Sequence, residues 1–461
     1  MVKNIVVLGA AYGGNRAAEV LAKTVSADYR VIVVDQKSHF NHLYLFPRYG
    51  VLPGHADKCL IPFTGIFDIP NRDLYNLKNK CPVSDLAAKL KSVVIGEKVD
   101  QADLKPTFIH ARVVDVQEHK IVLDRALIGE EIQLCMTETS GDDLETIEFE
   151  YLIYALGCQL PQPIALPAVE RQHGIDALQT QQEQIAKSKD IVIVGGGALG
   201  IQYASDIAEL YNSDKYVKLR PAGSVAPKKV TIIHSRKQFL PIYHKEVDRE
   251  VKRRFEHLGI EMIMGERVSE WHEDRLVTET SREIEFDCLL KCTGQQANVK
   301  PLQKTLIPTY DILNTTGFIH VLPSLQIADK ENKAIAGGRI FAIGDCADTG
   351  SVKAGHTAWR QANVAAQNVI HLIDGEYKDR TFIGVADAEP VKIKQLLDYE
   401  PTPPMIKVTT GLTSSVGQMV TSAPNCAPEE METTVTVYND GPVEGGYEVL
   451  WDRMVVPYVN V

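Results

Sequence analysis

The sequence predicts an α/β protein of two doubly wound parallel sheets, one inserted in the other, with a smaller α+β module at the C-terminus. Three observations predict it. The apolar run Ile5-Val6-Val7-Leu8 enters the small-residue turn Gly9-Ala10-Ala11-Tyr12-Gly13-Gly14, and the arrangement recurs where Ile191-Val192-Ile193-Val194 enters Gly195-Gly196-Gly197-Ala198-Leu199-Gly200. Each turn leads into a helix-like segment and then a second β-branched strand. A third apolar strand, Arg339-Ile340-Phe341-Ala342-Ile343, ends in Gly344-Asp345 after both turns. At 461 residues the chain exceeds what one core supports, so two or three domains are expected.

A strand, a glycine turn and a helix in direct succession make a pyrophosphate cradle. The first glycine permits the tight turn, the second small residue lets backbone approach the ligand, and the third lets helix and strand pack closely. The N–H groups of the helix N-terminus then aim at the phosphates. In the first copy Gly9, Gly13 and Gly14 fill the pattern, and Ala11 stands at the middle position with a methyl group nearer the ligand. The second strand, Val31-Ile32-Val33-Val34, ends in Asp35. This lies about 20 residues on, where a carboxylate accepts ribose hydroxyls. The combination predicts a Rossmann-like dinucleotide site.

In the second copy Gly195, Gly197 and Gly200 fill the pattern, but the matching strand Val230-Thr231-Ile232-Ile233 ends in His234-Ser235-Arg236-Lys237. A carboxylate there would repel a 2′-phosphate, whereas His234 and Arg236 bind one by hydrogen bond and charge. NADPH is therefore expected, with NADH as the alternative. The other reading, that Arg236 and Lys237 are ordinary solvated charges, stays open.

Later landmarks complete the plan. Asp345 is suited to hydrogen-bond the ribityl hydroxyls of a flavin, with the helix-like segment from about Thr357 facing the electron-rich edge of its ring. Tyr151–Leu156 ends in Gly157, and Asp287–Thr293 ends in Gly294; these paired exit strands mark one nucleotide domain inserted in another. The expected domains are 1–165 and 300–380 for FAD, 166–299 for NAD(P)H, and 381–461 as a C-terminal interface module. Between them, Phe108–Val114 alternates as a strand of a hairpin turning at Glu118-His119-Lys120, and one amphipathic segment lies near Asp85–Lys91. An acidic loop surrounds Ser140–Asp143, and a proline cluster at 161–167 reads as a hinge. Pro401, Pro403 and Pro404 precede the strand-like Met405–Val408, with Thr433–Tyr438 later, as a module for dimer contact or for covering the flavin.

Composition narrows the function. With 44% apolar and 24% charged residues the chain is a soluble globular protein, and a formal charge of −11 argues against nucleic acid as a partner. No apolar run approaches the roughly 18 residues that cross a bilayer. The first strand begins so early that no signal or transit peptide is expected, and Met1-Val2 offers no second-position glycine for myristoylation. A cytoplasmic location is expected. The eight cysteines, at 59, 81, 135, 158, 288, 292, 346 and 426, form no C-x-x-C pair and no metal-ligand pattern, so structural thiols are expected and no metal. Phe40-Asn41-His42-Leu43-Tyr44 occupies the region where flavin disulfide reductases carry a redox pair, which argues against disulfide reduction.

These residues together resemble the two-dinucleotide-binding-domain flavoproteins with a glutathione-reductase-like fold. The nearest likeness is to the AMID-like, ferroptosis-suppressor-protein branch of FAD-dependent pyridine nucleotide oxidoreductases, in its fungal type. Phe40–Arg48, Gly344–Asp348, Lys353 and the His356–Asn368 segment carry the likeness. It implies an NAD(P)H oxidoreductase that reduces quinones or related small aromatic acceptors, with FAD touching Gly9, Gly13, Gly14, Asp35, Arg48, Val113 and Asp345. Members usually carry Glu in the second nucleotide helix, where this chain has Gln202, an amide that hydrogen-bonds but does not titrate.

The reading is a two-step hydride relay from NAD(P)H to flavin and then to an acceptor, in which placement supplies most of the catalysis. Lys353 is the candidate to stabilise anionic flavin or a reduced acceptor's oxygen. His42 is the candidate acid, because an unperturbed imidazole titrates near physiological pH. Two rivals remain: a flavoprotein of specialised-metabolite biosynthesis, and a redox-sensing, apoptosis-type protein that acts by partner binding.

Overall fold

The computed structural model of the chain describes residues 2–63, 106–137, 143–161, 166, 168–381, 395–421, 432–448 and 451. The segment near Asp85–Lys91, most of the acidic loop and much of the proline cluster lie outside the described residues. The chain forms two compact units. The first comprises 1–38, 64–158 and 296–402, and the second 39–63, 159–295 and 403–461.

The first unit is built on a five-stranded parallel sheet in the order Ile340–Ala342, Tyr151–Tyr154, Lys3–Leu8, Tyr29–Asp35, Thr107–His110. Its central strand reads Ile5-Val6-Val7-Leu8 and is fully buried, as a parallel strand covered on both faces must be. The helix Tyr12–Ala22 follows at once and packs on the long helix Gly355–Thr381. Bare Gly355 admits the Tyr12 ring, and the Arg16 guanidinium stacks 5.3 Å from the Trp359 ring centroid while donating to Asn363 Oδ1 at 2.8 Å.

The expected hairpin is divided between two sheets. Thr107–His110 pairs parallel with Tyr29–Asp35, and the chain then breaks at Ala111 and Arg112. Only Val113–Val116 turns back on Lys120–Leu123, which pairs in turn with Thr146–Glu148. The alternation of apolar residues runs through the break, so it does not reveal it.

The second unit carries a four-stranded parallel sheet in the order Glu261–Met264, Lys229–His234, Asp190–Val194, Cys288–Lys291. The helix Ala198–Asn212 packs on it, and an antiparallel sheet of Ile406–Thr409, Ser415–Thr421 and Glu432–Tyr438 joins the same core through Val408 and Val416. Among the described residues no helix is long and apolar enough to cross a membrane.

The units cut across the sequence-based boundaries at two places: residues 39–63 and those from 403 onward both belong to the second unit. Polar anchors explain why. Arg48 forms a bidentate pair with Asp206 of the Ala198–Asn212 helix, Nε to Oδ2 at 2.8 Å and Nη2 to Oδ1 at 3.0 Å. Its other N–H groups donate to the carbonyls of Gly411, Leu412 and Val443. Nearby, Lys58 pairs with Glu444 at 2.9 Å, and Trp451 Nε1 donates to the Lys58 carbonyl at 2.7 Å.

Removing one member of a buried pair leaves the other charged and dry, which costs about 3–5 kcal/mol. Arg48→Leu is therefore expected to lower the unfolding free energy extrapolated from urea titration by that margin, moving the midpoint down in proportion, and Arg48→Met with Asp206→Leu to recover most of it. An unchanged midpoint in Arg48→Leu would show that the pair does not hold these segments.

Candidate functional site

The two turns are built alike, atom for atom along much of their length. Gly9 has φ +92°, and a Cβ there would meet the Ala155 carbonyl oxygen at 2.6 Å; Gly195 has φ +115°, and its Cβ would meet the Cys292 carbonyl oxygen at 2.6 Å. The positive φ and the facing backbone both exclude a side chain. At the helix start, a Cβ on Gly14 would lie 1.8 Å from the Gly9 oxygen, and one on Gly200 would lie 1.8 Å from the Gly195 oxygen. Neither helix is capped by a side chain at its N-cap, Ala11 in one and Gly197 in the other. Bare cradles ending in uncapped helix N-termini fit the pyrophosphate of a dinucleotide.

What closes each turn differs. Asp35, at the end of its strand, accepts from the Ala10 N–H at 2.7 Å and from the Lys37 N–H at 2.8 Å. Burial is the largest influence and raises its pKa, against those two N–H donors, Lys37 and His110. In the second turn the Gly196 N–H donates to Nδ1 of His234 at 3.1 Å. Ser235, Arg236 and Lys237 follow at the surface, all exposed, and Arg236 makes no ion pair among the described residues.

The first unit gathers most of the remaining candidates around its turn. Gly13 lies against Ile343 and Ala358, so the strand leading to Gly344-Asp345 borders the cradle. The Gly344 N–H donates to Gln361 Oε1 at 2.7 Å, and Cys158, next to Gly157, donates its thiol hydrogen to the Asp345 carbonyl at 3.1 Å. Ala111 N–H donates to the Asp35 carbonyl at 3.1 Å, and this brings buried Val113 to the same edge. The Lys353 ammonium donates to the Ala347 carbonyl and lies 4.5 Å from the Phe318 ring centroid. In the second unit, Gly294 follows the Cys292 and Thr293 that press on Gly195. Gln202, nine-tenths buried, donates from Nε2 to Thr409 Oγ1 at 3.1 Å.

Two further candidates lie in the second unit. Arg48 belongs to the second unit, and all of its N–H groups are used by Asp206 and three carbonyls, so it has no donor left for FAD. His42 also belongs to the second unit, and burial lowers its pKa to about 4. The ring is therefore neutral at physiological pH, where an unperturbed imidazole would titrate. Neither outcome was visible in sequence, because the first depends on Asp206 and carbonyls far along the chain and the second on burial.

Sequence reasoning also missed the hydrogen bond from Gly196 to His234, although the absent acid at that strand end was a signal that another acceptor was needed. Burial raises the thiol pKa values of Cys135, Cys288 and Cys346 to about 12, which leaves them poor nucleophiles at neutral pH.

Comparison with known proteins agrees with this geometry. Residues 3–367 match the family described as pyridine nucleotide-disulphide oxidoreductase. The chain is 34% identical over 430 residues to Fe-regulated protein 8 of Mycosarcoma maydis, covering 90% of this chain and 88% of that one. It is 24% identical over 385 residues to ferroptosis suppressor protein 1 of Homo sapiens, covering 80% and 81%. Among solved structures, NDH2 of Plasmodium falciparum in complex with NADH superposes with a TM-score of 0.61 at 13% identity, covering 99% of this chain and 95% of that one; this likeness is one of fold.

The two cradles are separable by experiment. In Gly14→Ala the helix must shift away from the Gly9 carbonyl, and purified protein is expected to lose flavin absorbance near 450 nm by at least about tenfold. Gly200→Ala is expected to retain flavin and to weaken nicotinamide-dinucleotide binding by a similar factor. Flavin loss from Gly200→Ala alone would reverse the assignment. For His42, the neutral form stabilises the fold fully above the unfolded value of about 6.5. That stability is lost as pH falls toward the folded pKa of about 4, by about 3 kcal/mol in all. Replacing His42 with Gln is expected to flatten the acid side of the stability profile; an unaltered profile would restore a titrating imidazole.

Proposed function

Since the chain belongs to the pyridine nucleotide-disulphide oxidoreductase family, we propose that it carries electrons from NADPH through FAD to a quinone or a similar small aromatic acceptor. It is an oxidoreductase of the branch that holds Fe-regulated protein 8 and ferroptosis suppressor protein 1, and its cofactors are FAD and a nicotinamide dinucleotide. Bound FAD supplies the chemistry of taking a hydride from the nicotinamide and yielding electrons to an acceptor.

The observation that carries the reading is the doubled cradle with unequal closure. The first turn ends on a carboxylate, Asp35, which suits ribose hydroxyls and, with Asp345, the flavin nucleotide. The second ends on a neutral imidazole followed by exposed Ser235, Arg236 and Lys237, a set that welcomes a 2′-phosphate where a carboxylate would repel it. Gly9, Gly13, Gly14, Gly157 and Gly344 keep backbone close to the flavin nucleotide. Gly195, Gly197, Gly200 and Gly294 do the same for the nicotinamide one.

Chemistry at the acceptor falls to Lys353. Its ammonium has three N–H groups and the Ala347 carbonyl engages one, leaving donors to hold developing negative charge. Gln202 orients by hydrogen bonding and does not relay a proton. The quinone class is supported by the likeness of Phe40–Arg48, Gly344–Asp348 and Lys353 to the branch named above. A cytoplasmic setting belongs to the same reading, since thiols as buried as Cys59 and Cys288 suit a reducing compartment.

Steady-state oxidation of NADPH and NADH against a panel of quinones tests the whole. A higher kcat/KM with NADPH is expected, and a strong NADH preference would overturn the coenzyme assignment. Tightly bound FAD without turnover on any quinone would favour the partner-binding rival. Lys353→Met is expected to slow reoxidation of reduced flavin in stopped flow while leaving flavin content intact; unchanged reoxidation would remove Lys353 from the mechanism.

A further inference from the structure

We propose that His234 is the positioning residue of the second turn, and that acid loosens the nicotinamide dinucleotide by removing the acceptor this imidazole provides. The inference rests on the reading of Gly195–Gly200 as the nicotinamide site.

The two turns expose the same backbone N–H, that of the residue after the first glycine. In each sheet the turn-bearing strand pairs in register with the strand that supplies the acceptor: Leu8 lies opposite Val34, and Val194 opposite Ile233. The next residue is Asp35 in one and His234 in the other. Ala10 donates to the carboxylate at 2.7 Å, and Gly196 donates to the imidazole at 3.1 Å. The ring thus stands where the first turn has its acid and makes the same bond.

Its orientation is fixed from the other side. His234 stacks on Phe239, with centroids 5.7 Å apart and planes 6° from parallel. Phe239 is fully buried, meets Phe255 edge-on at 5.4 Å, and donates its N–H to Asp248 Oδ1 at 2.8 Å. A Cβ on Gly196 would meet Phe239 Cδ1 at 2.6 Å and His234 Cγ at 2.8 Å, so this ring pair closes on the turn only because Gly196 is bare.

Since Nδ1 accepts, the ring's proton resides on Nε2. Protonating Nδ1 would set one N–H against another and leave the turn without its acceptor. A carboxyl group behaves differently, because it retains acceptor capacity after taking a proton, whereas imidazolium retains none. The charged groups facing the ring are Arg236 from the strand end and Asp248 from the helix Lys245–His257. Asp248 is shared with the Phe239 N–H and with Lys252 at 2.9 Å. Burial is the largest influence and lowers the ring's pKa; the Gln238 backbone and Asp248 raise it, and Arg236 lowers it further. The ring is thus neutral at physiological pH and begins to charge below the ordinary histidine range.

The test measures the Kd of NAD+ for FAD-loaded enzyme from pH 8 to pH 4.5, with the visible flavin spectrum as a check that the holoenzyme persists. NAD+ is the probe because it lacks a 2′-phosphate, whose own ionisation near pH 6 would overlie that of the ring. The wild-type Kd is expected to rise on acidification, approaching tenfold per pH unit below the ring's pKa. His234→Asn keeps an acceptor oxygen that does not titrate, and its ratio of acid to neutral Kd is expected to be about one. His234→Leu removes the acceptor and is expected to bind about tenfold more weakly at every pH. A wild-type Kd independent of pH, or an acid loss preserved in His234→Asn, would overturn the proposal. The NADPH preference is read separately at pH 8, so its failure would leave the acid dependence of NAD+ binding to stand or fall alone.

Discussion

Each nucleotide cradle depends on one backbone contact: the carbonyl of the first turn glycine presses on the α-carbon of the last. At 1.8 Å from where a Cβ would lie, the Gly9 and Gly195 oxygens leave no room for any side chain on Gly14 or Gly200. This contact sets how close the helix comes to the strand end and hence where its N-terminal N–H groups point. Everything else at either site is arranged around that direction. The exit strands supply the carbonyls of Ala155 and Cys292 that seal the first glycine, and the neighbouring strand supplies the acceptor that pins the turn.

The second unit adds a constraint of another kind. Its outlying segments are fastened by polar groups: the buried pair of Arg48 with Asp206, and the part-buried pair of Arg254 with Glu209 at 2.7 Å, with Glu209 also accepting from the Leu412 N–H. Such pairs repay their desolvation only when every donor and acceptor is matched, and here the guanidinium of Arg48 is fully matched. The arrangement favours one docking of the chain over others, because a shifted register would strand the charge.

The parts legible in the sequence are those decided by neighbours along the chain. Strands of Ile and Val entering glycine turns were read correctly, since periodicity and turn chemistry are local. The pairing of Arg48 was not legible, because nothing near it in sequence reveals Asp206, whose place on a helix face is settled by folding. The neutrality of His42 was not legible either, since it comes from burial, which residue type alone does not fix. The run Phe108–Val114 was read as one strand because alternation persists across Ala111 and Arg112, where the chain changes sheets. His234 is the intermediate case: its identity was noticed, while its duty to the Gly196 N–H became visible only when the strand register placed the two together.

The path of the chain between the units bears on how such a molecule can be made or divided. Because the first unit is assembled from three segments that alternate with three of the second, any single cut between residues 39 and 402 severs both units at once. A ribosome releasing this chain cannot finish the first unit until residues near 402 have emerged, long after the second turn has been synthesised. Neither half is then a heritable module that recombination could lift out whole at one breakpoint. Substitution in place, by contrast, leaves both units whole, as a single strand-end position does where one turn has its carboxylate and the other an imidazole.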